Sequence, residues 1–173
     1  MAQEAIVRKT QFPRLVIPLA VVLTSLFNLG MNLIVVFVFV LAFGVPPMAT
    51  WLLFPLLLIV LSLLTTAVAM IVASLNPRFR DIGIIWAVFA TALFYATPVL
   101  YPLQKASGTL KTIISMNPLT PIFELTRRWV IDPSAPVYVS PLAVAVPIAI
   151  FATVCVLAVW VFNREAPRIA EAL

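Results

Sequence analysis

Residues 15–77 read LVIPLAVVLTSLFNLGMNLIVVFVFVLAFGVPPMATWLLFPLLLIVLSLLTTAVAMIVASLNP, and none of these 63 positions carries a charge. A helix needs about 20 apolar residues to cross about 30 Å of hydrocarbon. The run is far too long for one crossing, so it must turn back. Gly44-Val45-Pro46-Pro47 is the break, because two prolines remove two backbone donors and glycine permits a tight turn. The run "LIVVFVFVLAF" does not alternate apolar with polar residues, as a membrane barrel strand would. In lipid each backbone N–H and C=O must be paired inside its own segment, so these runs are helices.

Working outward, two more neutral gaps appear: 23 residues from Ile82 to Gln104 and 31 from Pro133 to Asn163. The expected fold is all-α, a polytopic integral membrane protein. It has about four transmembrane helices, at 15–43, 48–75, 82–100 and 139–162, plus two short re-entrant or interfacial helices. A segment 1–14 precedes the transmembrane domain 15–173, an outer segment 101–138 holds the short helices, and a tail 163–173 closes the chain. The first apolar stretch, about 29 residues, is roughly twice the length of a signal-peptide core, so it reads as a retained span. Orientation follows the lysines and arginines. With the N-terminus inside, seven fall on the cytoplasmic side (Arg8, Lys9, Arg14, Arg78, Arg80, Arg164, Arg168) and four outside (Lys105, Lys111, Arg127, Arg128). Both termini are therefore expected in the cytoplasm.

Composition excludes several classes. Of 173 residues 64% are hydrophobic and only 17 are charged, 11 basic and 6 acidic, which a soluble monomer could not tolerate on its surface. There is no histidine, so neither an imidazole base nor a histidine-ligated metal site is expected. Cys155 is the only cysteine and reads as a small apolar packer within a span. No G-x-x-x-x-G-K-[ST] occurs to cradle nucleotide phosphates. None of the four expected spans contains an ionisable group, which argues against a proton-coupled carrier or a charge-lined pore. Paired carboxylates and activated nucleophiles are absent too, so an enzyme is the least favoured reading.

Three segments depart from plain spans. In the first, AQEAIVRKTQFPR (2–14), Glu4 and Arg8 share a helical face; a positive anchor explains it, and docking on a partner is the sharper reading. The second is the tight loop Asn76-Pro77-Arg78-Phe79-Arg80-Asp81, where Asp81 is placed to cap the next helix. The third is 101–138. Its neutral piece TIISMNPLTPIF is too short to span and suits an interfacial or re-entrant element. Asn117-Pro118 and Thr120-Pro121 each offer a cap residue followed by a helix-starting proline. Two short helices are expected, about 107–116 and 121–131, with Glu124 spaced to pair with Arg127 or Arg128. Among the aromatics, Trp86 and Phe89 share a stripe with Leu93. With Tyr95 they are candidates for stacking on a sugar ring, although lipid contact or helix packing is the plainer account.

The order QFPRLVIPL, SLNPRFRDI, TPVLYPL and MNPLTPIFELTRRWV resembles the membrane subunit of polysaccharide exporters of the ABC-2 type, which move O-antigen, teichoic acid or galactan chains. The resemblance covers nearly the whole chain. It implies a homodimer, with each copy paired to a separate cytoplasmic ATPase that holds ATP and magnesium; the permease itself carries no cofactor. Phe12, Pro13 and Arg14 would match the end of the ATPase-coupling region. Arg78, Arg80 and Asp81 would match an inner loop, and Pro98, Tyr101 and Pro102 the outer end of the next span. Asn117, Pro118, Pro121, Glu124 and Arg127 would fall in the re-entrant helices. The family usually has six spans after an amphipathic helix, so the expectation is a chain that lacks two of them.

The function so implied is export of a lipid-linked polysaccharide across the bacterial plasma membrane, driven by nucleotide-dependent closure of the partner ATPases. Arg80, Arg127 and Arg128 are candidates for contacting a pyrophosphate-linked lipid, because guanidinium suits phosphate geometry. The alternatives are an ABC-2 exporter of drugs or lipids, and a membrane assembly subunit that transports nothing.

Overall fold

The computed structural model describes residues 16–76, 79, 81–137 and 139–171, with side chains at all of these except 16–18, 104 and 165–171. The first helix, α1, runs Val16–Ala42. It stops where the sequence breaks. Gly44 adopts φ 81°, its N–H donates to Leu41 O at 3.0 Å, and Val45 N–H donates to Val40 O at 3.2 Å. This pair of bonds is the Schellman closure, and its left-handed residue is best supplied by glycine. Pro46 and Pro47 then prevent the helix from resuming.

The chain returns through a 3-10 turn, Ala49–Leu53, into α2, Phe54–Leu75. Pro55 lies in the first turn of α2, where no N–H partner is lost. The next helix, α3, is Ile82–Ala96. Two short helices follow, α4 at Gly108–Ser115 and α5 at Thr120–Thr126, and α5 runs directly into a π-helical turn, Arg127–Ile131. The last helix, α6, spans Pro141–Glu171. Its start is capped by Ser140, whose Oγ accepts Ala143 N–H at 3.0 Å, with Pro141 at the first helical position.

Three stretches are long and apolar enough to cross a membrane: Leu19–Ala42, Ala49–Leu75 and Pro141–Arg164. One expected boundary needs correction. The expected span 82–100 is a helix of only 15 residues, about 22 Å at 1.5 Å per residue, and it ends at Ala96 because Thr97 precedes a proline and turns extended (φ −103°, ψ 137°). α6 stays helical to Glu171, so the segment from 163 onward continues the last span as helix. Hydroxyls inside the spans are satisfied locally. Thr24, Ser25, Thr66 and Ser74 each donate to the carbonyl four residues back, at 2.7–3.0 Å.

The helices do not share the packing evenly. The most extensive contact is α2 against α6, followed by α1 against α2. Ala67 on α2 and Ala143 and Ala158 on α6 are buried, and such small side chains let helix backbones approach closely. The main apolar cluster sits where the start of α2 meets the α5 region. Phe54 and Leu57 pack with Ile122 and Val130, flanked by Leu33, Phe37 and Trp51. Phe37 lies edge-on to Phe54 at 5.8 Å between centroids and 4.9 Å from Trp51. By contrast α3 buries none of its residues and packs broadly against no other described helix.

Candidate functional site

The last four carbonyls of any α-helix lack partners within the helix, and at membrane depth they must find others. In α3 these are Leu93, Phe94, Tyr95 and Ala96, and all four are taken. Thr97 Oγ1 donates to Leu93 O at 2.7 Å, and Thr97 N–H to Phe94 O at 3.3 Å. Tyr101 Oη donates to Tyr95 O at 3.0 Å. Asn117 Nδ2 reaches from the turn after α4 to Ala96 O at 3.3 Å and to Thr97 Oγ1 at 2.9 Å. One residue further on, Arg127 Nη2 donates to Pro98 O at 3.3 Å. The unwound segment beyond α3 is thus clamped by the α4–α5 hairpin. Thr97, Pro98 and Leu103 are among the most buried side chains.

The hairpin is itself knotted by side chains. Asn117 Oδ1 accepts Leu119 N–H at 3.0 Å, so Asn117 closes the turn as an Asx cap. Thr120 was expected to cap α5, but its Oγ1 donates to Ile114 O at 2.6 Å and no side chain caps α5. Ile114 is the second-last residue of α4, so the hydroxyl satisfies an end carbonyl of the preceding helix instead. Pro118 and Pro121 are half-buried around this turn, and Glu124 is buried at 5% exposure. The expected single helix 121–131 is α-helical only to Thr126. Beyond it the π turn redirects two carbonyls towards the α1–α2 connection. Thr50 Oγ1 donates to Trp129 O at 2.7 Å and Trp51 Nε1 to Val130 O at 3.2 Å.

The structure therefore brings Pro98, Tyr101, Asn117 and Arg127 into one arrangement, as the sequence grouped them. Pro102 stands at the start of the 3-10 turn Leu103–Lys105, just beyond. Asp81 does occupy the first position before α3, and its carbonyl accepts Ile85 N–H at 3.0 Å. Its carboxylate makes no capping bond, because its backbone is already helical (φ −85°, ψ −3°) rather than extended as a side-chain cap requires. Phe12, Pro13, Arg14, Arg78 and Arg80 lie outside the described residues. The aromatic trio separates. Trp86 and Phe89 are neighbours with centroids 5.7 Å apart, whereas Tyr95, nine residues from Trp86, is on the opposite side of α3 and meets Phe94 edge-on at 5.4 Å. Sequence reading missed Thr97, Thr50 and Trp51. The Thr97-Pro98 dipeptide was the available signal for the first of these.

Around the clamp the chemistry is that of a membrane boundary. Lys105 and Arg128 are exposed, and Lys111 and Arg127 are half-buried. Asp132 follows the π turn. Its carboxyl is held below the ordinary value of 3.8 by hydrogen bonds from the Ser134 hydroxyl at 2.6 Å and the Ser134 N–H at 2.9 Å. A crevice of about 200 Å³ opens between Leu93, Phe94 and Thr97 on one side and Leu119 and Phe123 on the other. Among the described residues no three His, Cys, Asp or Glu side chains converge to hold a metal ion.

Spanning helices linked by a clamped hairpin define a polytopic α-helical membrane protein. The family model for ABC-2 type transporters matches residues 3–130, and the chain belongs to that family. It is 31% identical over 173 residues to the O-antigen export system permease protein RfbA of Myxococcus xanthus, covering 95% of this chain and 63% of that protein. Two O-antigen export permeases named RfbA from Klebsiella pneumoniae are 33% and 32% identical over 120 residues, covering 69% of this chain and 46% of each. The chain thus spans about half to two-thirds of the length of these relatives.

Proposed function

We propose that this chain is a membrane subunit of an ATP-driven exporter that moves a lipid-linked polysaccharide outward through the bacterial plasma membrane. The observation that carries this reading is the similarity, over 95% of the chain, to a permease named for O-antigen export. ATP and magnesium belong to a separate ABC ATPase on the cytoplasmic side. Phe12, Pro13 and Arg14 couple to that ATPase, and Arg78, Arg80 and Asp81 form the cytoplasmic loop. Both termini are cytoplasmic and two permease copies face one another. The clamp at the outer end of α3 supports the exit role of Pro98, Tyr101, Asn117 and Arg127, because it joins the end of a membrane helix to a hairpin that cannot span. Trp86 and Phe89 form the part of the aromatic set that can present one continuous stacking surface to a sugar.

Co-expression with a cognate ATP-binding-cassette ATPase tests this. The expected result is copurification of the two chains, with ATP hydrolysis altered by the permease. Failure to copurify, together with an unchanged hydrolysis rate, would sink the proposal.

A further inference from the structure

The crevice at the end of α3 combines two features of a lipid site. Its walls, from Leu93, Phe94, Leu119 and Phe123, are apolar, and the one hydroxyl on its lining, that of Thr97, is already engaged with Leu93 O and Asn117. At about 200 Å³ it is smaller than the roughly 300 Å³ at which whole-ligand pockets begin, so it takes one chain of a ligand rather than all of it. Beside it lies a cation. The Arg127 guanidinium is 3.3 Å from Pro98 O, and Pro98 sits between Thr97 and Val99, both of which line the crevice. One of the five guanidinium N–H donors meets that carbonyl, and the fork geometry suits a phosphate. The neighbouring surface is open to lipid, with Leu100 73% and Phe94 44% exposed.

We infer that this crevice and Arg127 together hold one acyl chain and the phosphate of an anionic glycerophospholipid. Basic pockets beside membrane helices recognise lipid headgroups in this way. The positive guanidinium selects an anionic over a zwitterionic headgroup, and the surrounding bilayer supplies the ligand at high local concentration. A lipid seated here packs on the clamp and stabilises the unwound end of α3. The inference stands independently of what the protein exports.

The test uses the whole chain reconstituted in vesicles of equal parts phosphatidylglycerol and phosphatidylcholine, re-extracted gently, with retained lipid read by native mass spectrometry. Phosphatidylglycerol should be retained about tenfold over phosphatidylcholine. Arg127→Gln should bring the two close to parity, while Lys105→Gln, which removes an exposed charge of the same sign on the outer segment, should keep the preference. Leu93→Trp fills the crevice while removing no charge and no hydrogen-bonding side chain, and should abolish retention of both lipids. If Arg127→Gln does not fold, the Leu93→Trp result decides alone. Equal retention of the two lipids by the unsubstituted protein overturns the inference, as does undiminished retention in Leu93→Trp. Displacement of phosphatidylglycerol by an equimolar polyprenyl phosphate also overturns it, by assigning the crevice to a carrier lipid.

Discussion

Helices α2 and α3 are adjacent in sequence and similarly apolar, yet they are held in opposite ways. α2 is fixed along its length: Phe54, Leu57, Leu64 and Ala67 are buried, and both α1 and α6 pack on it. α3 is fixed at its C-terminal end, where Thr97, Tyr101 and Asn117 take up its last carbonyls. Ile84, in its first turn, and Val88, in its middle, are 70% and 67% exposed. Apolarity alone therefore does not place a helix inside a membrane protein. Shape-matched neighbours place α2, and a set of directed hydrogen bonds places α3.

Substitutions along the two helices sharpen this contrast. The largest loss is expected at Leu57→Ala, which leaves a cavity in the Phe54–Ile122–Val130 cluster; a cost of about 2–5 kcal/mol is expected, read as a lower unfolding midpoint in detergent. Next is Asn117→Ala, which strands Ala96 O and frees Leu119 N–H. A loss of about 1–3 kcal/mol is expected, with faster hydrogen exchange confined to 93–97 and 117–120. Thr50→Val removes the bond to Trp129 O and should cost about 1 kcal/mol, seen as loosening of the π turn while α3 keeps its protection. Val88→Ala, in mid-α3, should stay within about 0.5 kcal/mol; a loss as large as that at Leu57 would show that α3 is packed after all. The smallest effect is at Asp132. Its folded value is depressed, so its contribution is present above the ordinary value of 3.8 and is lost as pH falls through the lower folded value. Ser134→Ala should raise the Asp132 titration towards 3.8, followed by carboxyl NMR.

Legibility in the sequence followed the same division. The C-terminal limit of α1 was readable to within a residue, because Gly44-Val45-Pro46-Pro47 stands there and its signal is local. The hairpin was readable as two short helices for a similar reason, since Asn-Pro and Thr-Pro mark its turns. The end of α3 was overrun because Thr97–Leu100 is as free of charge as the helix before it, and only the proline bias on Thr97 argued otherwise. What completes that end comes from Asn117 and Arg127, 20 and more residues away, beyond the reach of any pattern along the chain. The π turn left no mark either. Its two redirected carbonyls are matched by Thr50 and Trp51, 79 residues earlier. That Thr97, Tyr101, Asn117 and Arg127 together close off a helix end emerged only in three dimensions.

The shortness of α3 has a consequence for the lipid beside it. A 15-residue helix falls about 8 Å short of the usual hydrocarbon slab, and its C-terminal end finishes in amide and guanidinium groups instead of further apolar turns. Hydrophobic mismatch of this size draws the adjoining leaflet inward, at a fraction of a kcal/mol per ångström. A bilayer that adapts to α3 is thinner along this flank than beside the long helices α1, α2 and α6, and a polar headgroup passing there has less oil to cross.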